Sequence, residues 1–413
     1  MDIHAEKIRV AKKIALAYVG AVVPDRPPFN DDPAFSRAGN MFQENLLEAM
    51  KESGLLPSLI LSQRPLRAFP RSTSLRVSSG QTELSSDLLV QLLPFVNLPI
   101  VRPLAVGLAV IAHLIRWSWQ QPRETRKVVY TFNLSEPPGL FTLISARLIG
   151  AKVVASMNDI YIPGDLVPNT LSRRLDFWLQ KKIIPRFDGL VVVNKRIIED
   201  FAPSSPFVRI EGGVAQKVLE RSEKKPDGLK AKDAPFTIVS AGSLTEANGF
   251  IELLEAFPLL QGNNYRLRIA GSGPLEERIK QATQEDPRIE YCGYLDFDGV
   301  WALYESADVL INMRLTKKIK TDYFFPSKTF EYLASGVPVI STCIRHIEEE
   351  YADMVFLLRE ETPQALAQMI ERVAALSGEA RTRKGRAARE HVRTHSTWEA
   401  QGKRIVEFIY TIT

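Results

Sequence analysis

Short apolar runs alternate with helical patterns along both halves of this 413-residue chain, and that alternation restricts the fold more than any other feature. Order of this kind builds parallel sheets covered by helices on both faces. In the first half the expected strands are residues 14–20, 59–61, 128–132, 153–156, 190–193 and 208–210, separated by helical stretches such as 41–52, 138–148 and 171–184. The second half repeats the plan more tightly, with strands at 237–241, 266–270, 289–292, 309–312, 339–341 and 355–358. A chain of this length exceeds one usual core, so two doubly wound α/β domains are expected. Residues 1–215 form the first and residues 235–395 the second, with the charge-rich, Pro- and Gly-punctuated stretch 216–234 as the linker and residues 396–413 as a closing helix.

Ligands of such sheets bind where strands end and helices begin. Phe325 to Ile340, FPSKTFEYLASGVPVI, places Ser327 and Lys328 at an expected helix start and Glu331 one turn inside it. Free backbone N–H groups and a mobile ammonium suit a phosphate, and a carboxylate one turn on can accept hydrogen bonds from a ribose diol. An ordinary capped helix with a solvated lysine accounts for the same residues. Gly242 and Ser243 with Asn248, Gly271 with Gly273, and Gly293 with Tyr294 follow three successive strands, where small residues let backbone approach a ligand or simply make a turn. GxGxxE after the second of these strands departs from the dinucleotide fingerprint. Arg314, Lys317, Lys318 and Lys320 lie between a strand and the FPSK helix, and Arg314 is best placed to meet a diphosphate. In the first half, Asn133 to Glu136 and Asn158-Asp159 close two strands, as helix caps or as polar groups at a cleft.

Other patterns exclude more than they assign. Asp296-Phe297-Asp298 has the DxD form of a metal site, but Asp298 reads better as a helix N-cap, and no metal is expected. Cys292 and Cys343 lie in apolar runs without ligand spacing and read as buried thiols. His346, His391 and His395 sit in polar helical surroundings and are expected to face solvent. The N-terminus lacks an apolar signal core, from which a cytoplasmic location is expected.

Residues 1–225 carry 30 Lys and Arg against 21 Asp and Glu, and residues 226–413 carry 23 against 27. The basic residues are dispersed without interleaved aromatics, so nucleic acid is not an expected partner; an anionic lipid surface or a phosphorylated substrate is. Leu88 to Trp119 is apolar but divided by Pro94, Pro99 and Pro103, and its uncharged run between Arg102 and Arg116 falls short of a membrane span. It reads as a core helix or as a helix lying on a membrane surface.

Taken in order, the second-half motifs AGSLTEANGFIELLEAF, RIAGSGPLEERI, RIEYCGYL, LYESADVLINMR and FFPSKTFEYLASGVPVIST resemble the retaining, nucleotide-sugar-dependent group 1 (family 4 type) glycosyltransferases. In the first half the likeness rests on AYVGAVVP, AGNMFQENLLEAM, VVASMNDIY and FDGLVVVNK. The resemblance implies a GT-B fold, two Rossmann-like domains facing a cleft, with an acceptor domain, a donor domain and a last helix that crosses back. It implies an enzyme that moves a sugar from a nucleoside diphosphate sugar to a saccharide or lipid-linked acceptor; the N-terminus and the basic first half add the expectation of a cytoplasmic place, peripheral on the inner face of a membrane. The co-substrate takes the place of a cofactor. Carried over by residue, Glu331 holds the donor's ribose hydroxyls and Ser327 and Lys328 take the diphosphate; Lys328 and Glu331, with Arg314 from its place past the strand end, are the catalytic candidates. Gly242, Ser243, Asn248, Gly271, Gly273, Gly293, Tyr294, Tyr323, Phe324, Phe325, Pro326 and Ser327 line the donor side, and Gly39, Asn40, Asn133, Glu136, Asn158 and Asp159 the acceptor side.

Departures from the family pattern accompany the match. Tyr323 replaces the first of two acids spaced eight apart, with Asp322 beside it, and Ser243 and Asn248 replace a basic pair. Asn158 stands where a histidine is common. Two rival readings therefore stand beside the transferase: a non-catalytic nucleotide-sugar-binding or scaffold subunit, and a nucleotide-sugar epimerase of similar fold.

Overall fold

The computed structural model describes residues 13–133, 138–158, 160, 162–164, 168–223, 234–262, 264–318, 323 and 328–413. The chain divides into two compact units, residues 1–211 with 398–413, and residues 212–397. Each contains its own mainly parallel sheet.

The first unit runs β1 (Ile14–Gly20), α1 (Arg37–Glu52), β2 (Leu59–Ser62), β3 (Arg76–Val77), β4 (Gly80–Ser85), β5 (Leu88–Leu92), β6 (Phe95–Val96), α2 (Val101–Gln120), β7 (Arg126–Phe132), α3 (Pro138–Leu148), β8 (Lys152–Met157), α4 (Leu171–Ile183), β9 (Gly189–Val192), α5 (Lys195–Phe201) and β10 (Phe207–Arg209). Its main sheet has the order β10-β9-β8-β7-β1-β2-β5-β4, parallel except where β4 pairs antiparallel with β5. The apolar stretch at 88–119 is therefore not one helix. Its prolines divide it into sheet strand β5, short strand β6 and helix α2, because β-branched and leucine-rich runs fill a buried sheet position as readily as a helix. Helix α2 is long and apolar enough to cross a membrane by length and composition. It nonetheless buries Val106, Val110, Leu114 and Trp117 in the unit, and Gly107 permits its contact with α3, since a methyl there would lie 2.3 Å from the Phe141 ring.

The second unit continues with α6 (Gln216–Glu223), β11 (Phe236–Ser243), α7 (Phe250–Ala256), β12 (Tyr265–Ser272), α8 (Glu276–Glu285), β13 (Ile289–Tyr291), α9 (Phe297–Glu305), β14 (Val309–Asn312), α10 (Lys328–Ala334), β15 (Val339–Thr342), α11 (Arg345–Tyr351), β16 (Phe356–Leu358), α12 (Pro363–Ala374) and α13 (Gly378–His395). Its six strands are all parallel in the order β13-β12-β11-β14-β15-β16. Residues 216–223, expected as linker, instead form α6. Val218 is buried in the core of this unit, Arg221 pairs with Glu305 at 3.0 Å, and Lys217 lies over the Phe297 ring at 4.4 Å. A charged sequence hides such a helix because one apolar contact per turn suffices when the partners are aromatic.

Helix α14 (Trp398–Ile412) belongs to the first unit, where Ile405, Val406 and Ile409 join Leu16, Tyr18 and Leu46 in the core. It lies tight on α1, for a methyl at Gly402 would come within 2.3 Å of the Ala49 carbonyl oxygen. His346, expected to face solvent, is instead buried on α11, and Cys292 and Cys343, expected to be buried, are half-buried free thiols whose pKa values burial pushes up.

Candidate functional site

Three strands of the second unit end in glycines that lie side by side. Gly242 of β11 is in register with Gly271 of β12, whose N–H donates to the Gly293 carbonyl beyond β13 at 2.8 Å. Glycine is obligatory at 271, where φ is +136° and a Cβ would stand 1.8 Å from the Gly242 carbonyl oxygen. The edge is held by side chains behind it. Tyr332 on α10 both accepts from the Ala241 N–H at 2.9 Å and donates to the Ala241 carbonyl at 3.0 Å. Asn248 donates to the Ser243 carbonyl at 2.7 Å, and Tyr291 to that of Gly271 at 2.8 Å.

Against this edge lies a cavity of about 140 Å³ walled by the ends of β11 and β14, by Asn248 and Phe250, and by Lys328 and Tyr332 of α10. It is smaller than the roughly 300–1,000 Å³ usual for a whole ligand and matches a fragment of one, such as a phosphate pair. Lys328 reaches into it: a Cβ on Gly242 would be 3.7 Å from its Cδ, Cε and Nζ atoms. Arg314 enters from just beyond β14, its backbone N–H donating to Thr342 Oγ1 at 3.0 Å. Buried Asn312 donates to Thr329 Oγ1 at 3.2 Å and so fastens the first turn of α10 to β14.

Burial sets the electrostatics. It holds the Lys328 ammonium below its usual pKa, with Glu331 acting in the opposite sense. It raises Glu331, while the charges of Lys328 and Lys217 pull that carboxyl back down. A half-buried cation short of full compensation favours an incoming anion, because the ligand restores what desolvation removed.

Of the expected donor-side residues, Gly242, Ser243, Asn248, Arg314 and Lys328 share the cavity. Gly271 and Gly293 extend its glycine edge, Gly273 follows with its own close approach to Leu244, and Tyr294 beside them is 72% exposed. Glu331 stands one turn after Lys328 on α10, half-buried and outside the cavity wall. Tyr323 is half-buried, whereas Lys320, Asp322, Phe324, Phe325, Pro326 and Ser327 lie outside the described residues. In the first unit Asn133, at φ +53°, accepts from the Asn158 N–H at 2.9 Å, which brings the ends of β7 and β8 together. Gly39 donates to the cap residue Ser36, and buried Asn40 accepts from the Val23 N–H at 2.9 Å to hold the loop after β1. Glu136 and Asp159 lie outside the described residues.

The cap of α9 is Asp296, which accepts from the Gly299 N–H at 2.9 Å; Asp298 sits in the first turn instead. Among the described residues no group of three His, Cys, Asp or Glu side chains could hold a metal ion. Three contributors escaped the sequence reading: Lys217, because its segment looked like linker, and Asn312 and Tyr332, because buried polar groups on apolar elements resemble core. The polar Asn at the end of the run VLIN was the one available signal.

Two mainly parallel α/β units with helices between the strands are the GT-B architecture. Solved structures agree in fold: a sucrose-phosphate synthase of Thermosynechococcus elongatus superposes with TM-score 0.64 at 16% identity over 96% of this chain and 99% of that one. HepE of Anabaena, crystallised with UDP, superposes with TM-score 0.65 at 14% identity over 96% of this chain and 100% of its own. Residues 235–375 match the family described as Glycosyl transferases group 1. It is 29% identical over 230 residues to the Escherichia coli K12 protein provisionally named colanic acid biosynthesis glycosyltransferase WcaL, covering 48% of this chain and 56% of that protein. The chain thus spans about half the length of the curated relatives it matches.

Proposed function

We propose that this protein transfers a sugar from a nucleoside diphosphate sugar to an acceptor hydroxyl, with retention, in polysaccharide or glycolipid biosynthesis. The observation that carries the reading is the meeting of Lys328 and Arg314 in a phosphate-sized cavity against a glycine edge. Relatives named for colanic acid biosynthesis, and a structural neighbour crystallised with UDP and glucose, support the donor and product classes. In this reading the diphosphate lies between the two cations, and Glu331 accepts hydrogen bonds from the ribose diol. The bond from the anomeric carbon to the diphosphate oxygen breaks as the acceptor oxygen attacks from the same face. The acceptor proton passes to the departing diphosphate. No protein nucleophile takes part, and the residues act by placing charge and excluding water.

The test is calorimetric titration with UDP, GDP and ADP, followed by turnover of the matching nucleotide sugars with and without acceptor. Lys328→Ala removes a charge-assisted phosphate contact of about 1.5–3 kcal/mol, so nucleotide affinity falls roughly 10- to 100-fold while folding persists. Wild-type affinity and turnover in that variant overturn the site. Binding without turnover supports a non-catalytic subunit, and conversion without acceptor supports an epimerase.

A further inference from the structure

The outer faces of α2, α3 and α4 in the first unit are apolar where a surface helix should be polar. On α4, Leu171, Leu175 and Trp178 fall at i, i+4 and i+7, one stripe, and all three are exposed, Leu171 at 82%. On α2 and its first flanking residue, Ile100, Leu104, Leu108 and Trp119 are exposed, Ile100 at 85% and Trp119 at 82%. Helix α3 packs on α2 and presents Ile144 and Leu148 outward. Between α3 and α4 opens a cavity of about 830 Å³ lined mainly by apolar side chains, among them Leu143, Leu148, Trp178 and Phe187, with Arg147, Lys182 and Arg186 also at its wall.

Scattered exposed leucines are ordinary, but a continuous set on three neighbouring helices is not. Charge decides what covers it. Helices α2 and α3 carry Arg102, Arg116 and Arg147 and no acid, and the stretch 171–188 carries five basic residues against Asp176 and Asp188, the latter paired with Arg147 and Lys152. A second copy of the same face would bring like charges together, and an acidic soluble partner would leave the leucine stripe unanswered. A surface that is apolar below and anionic at its boundary satisfies both, and tryptophans at the rim suit that boundary.

We propose that the first unit docks on an anionic phospholipid bilayer through α2, α3 and α4, with α4 lying in the headgroup plane and the α3–α4 cavity receiving part of an acyl chain. This inference does not depend on the donor site. The test is sedimentation of the full chain with vesicles of phosphatidylcholine alone or mixed with phosphatidylglycerol. Lys and Arg near an anionic surface are attracted to it within a Debye length, so binding to the mixed vesicles is tenfold or more tighter and weakens with added salt. The double variant Leu175→Glu/Trp178→Glu loses that binding while keeping its melting temperature and its nucleotide affinity. Lipids brominated in the acyl chain quench the tryptophan fluorescence of the wild-type protein, a readout that needs no variant. Equal binding to both vesicle types, absence of quenching, or binding by the double variant at wild-type strength overturns the proposal. So does a wild-type dimer, in the absence of vesicles, that the double variant converts to monomer.

Discussion

The two units end their strands in different chemistry. In the second, β11, β12 and β13 run out into Gly242, Gly271 and Gly293, so backbone lies open beside the cavity that holds Lys328. In the first, β7 and β8 end in Asn133 and Asn158, and the amide of one is consumed in holding the backbone of the other. Glycine edges leave room for a ligand to lie along the chain; asparagine edges fill that room with their own side chains. One architecture therefore serves as a close backbone cradle in one half and as a rigid, side-chain-lined rim in the other.

The contrast can be broken most forcefully at Gly271. Gly271→Ala forces a methyl onto the Gly242 carbonyl at an unfavourable φ, and a loss of about 3 kcal/mol or more in chemical denaturation is expected. Stability equal to the wild type would mean that the edge is not strained. Asn133→Ala removes both a side chain tolerant of positive φ and the acceptor for Asn158, at about 1–2 kcal/mol, with nucleotide affinity unchanged in titration calorimetry. A fall in nucleotide affinity there would join the two rims that the comparison separates. Asp296→Ala loses the cap of α9, about 1 kcal/mol, and leaves activity with and without magnesium in the same ratio as in the wild type.

The smallest effect is one of pH. Burial raises the Glu331 pKa above its ordinary 4.5, so its contribution to stability is complete below that value and is lost as pH rises through the higher folded value. Glu331→Gln has no carboxylate to desolvate. Its melting temperature should therefore gain on the wild type as pH is raised from 4.5 toward neutrality, and parallel melting curves across that range would contradict the assignment. The same substitution weakens nucleotide binding if the carboxylate meets the ribose, which separates the stability role from the ligand role.

The second sheet was legible because its strands are buried on both faces and each is followed by glycine or a polar turn. In the first sheet, β4 and β5 were hidden. The alternating GQTELS of β4 resembles a loop, and the leucines of β5 run on into the prolines before α2. Lys328 and Arg314 could be placed near one another from order along the chain, because strand ends in a parallel sheet share an edge. Lys217 could not, since it reaches that neighbourhood through α6, whose helical character depends on aromatic partners some 80 positions away.

Helix α14 gives the molecule a timetable. Ile405 and Ile409 complete a core that begins with Leu16, yet the whole of the second unit is encoded between them. At 5–20 residues per second a ribosome needs about ten to forty seconds to make that unit. For that interval the first unit stands with one wall of its core missing, and the second is free to fold before the half that was made first has closed.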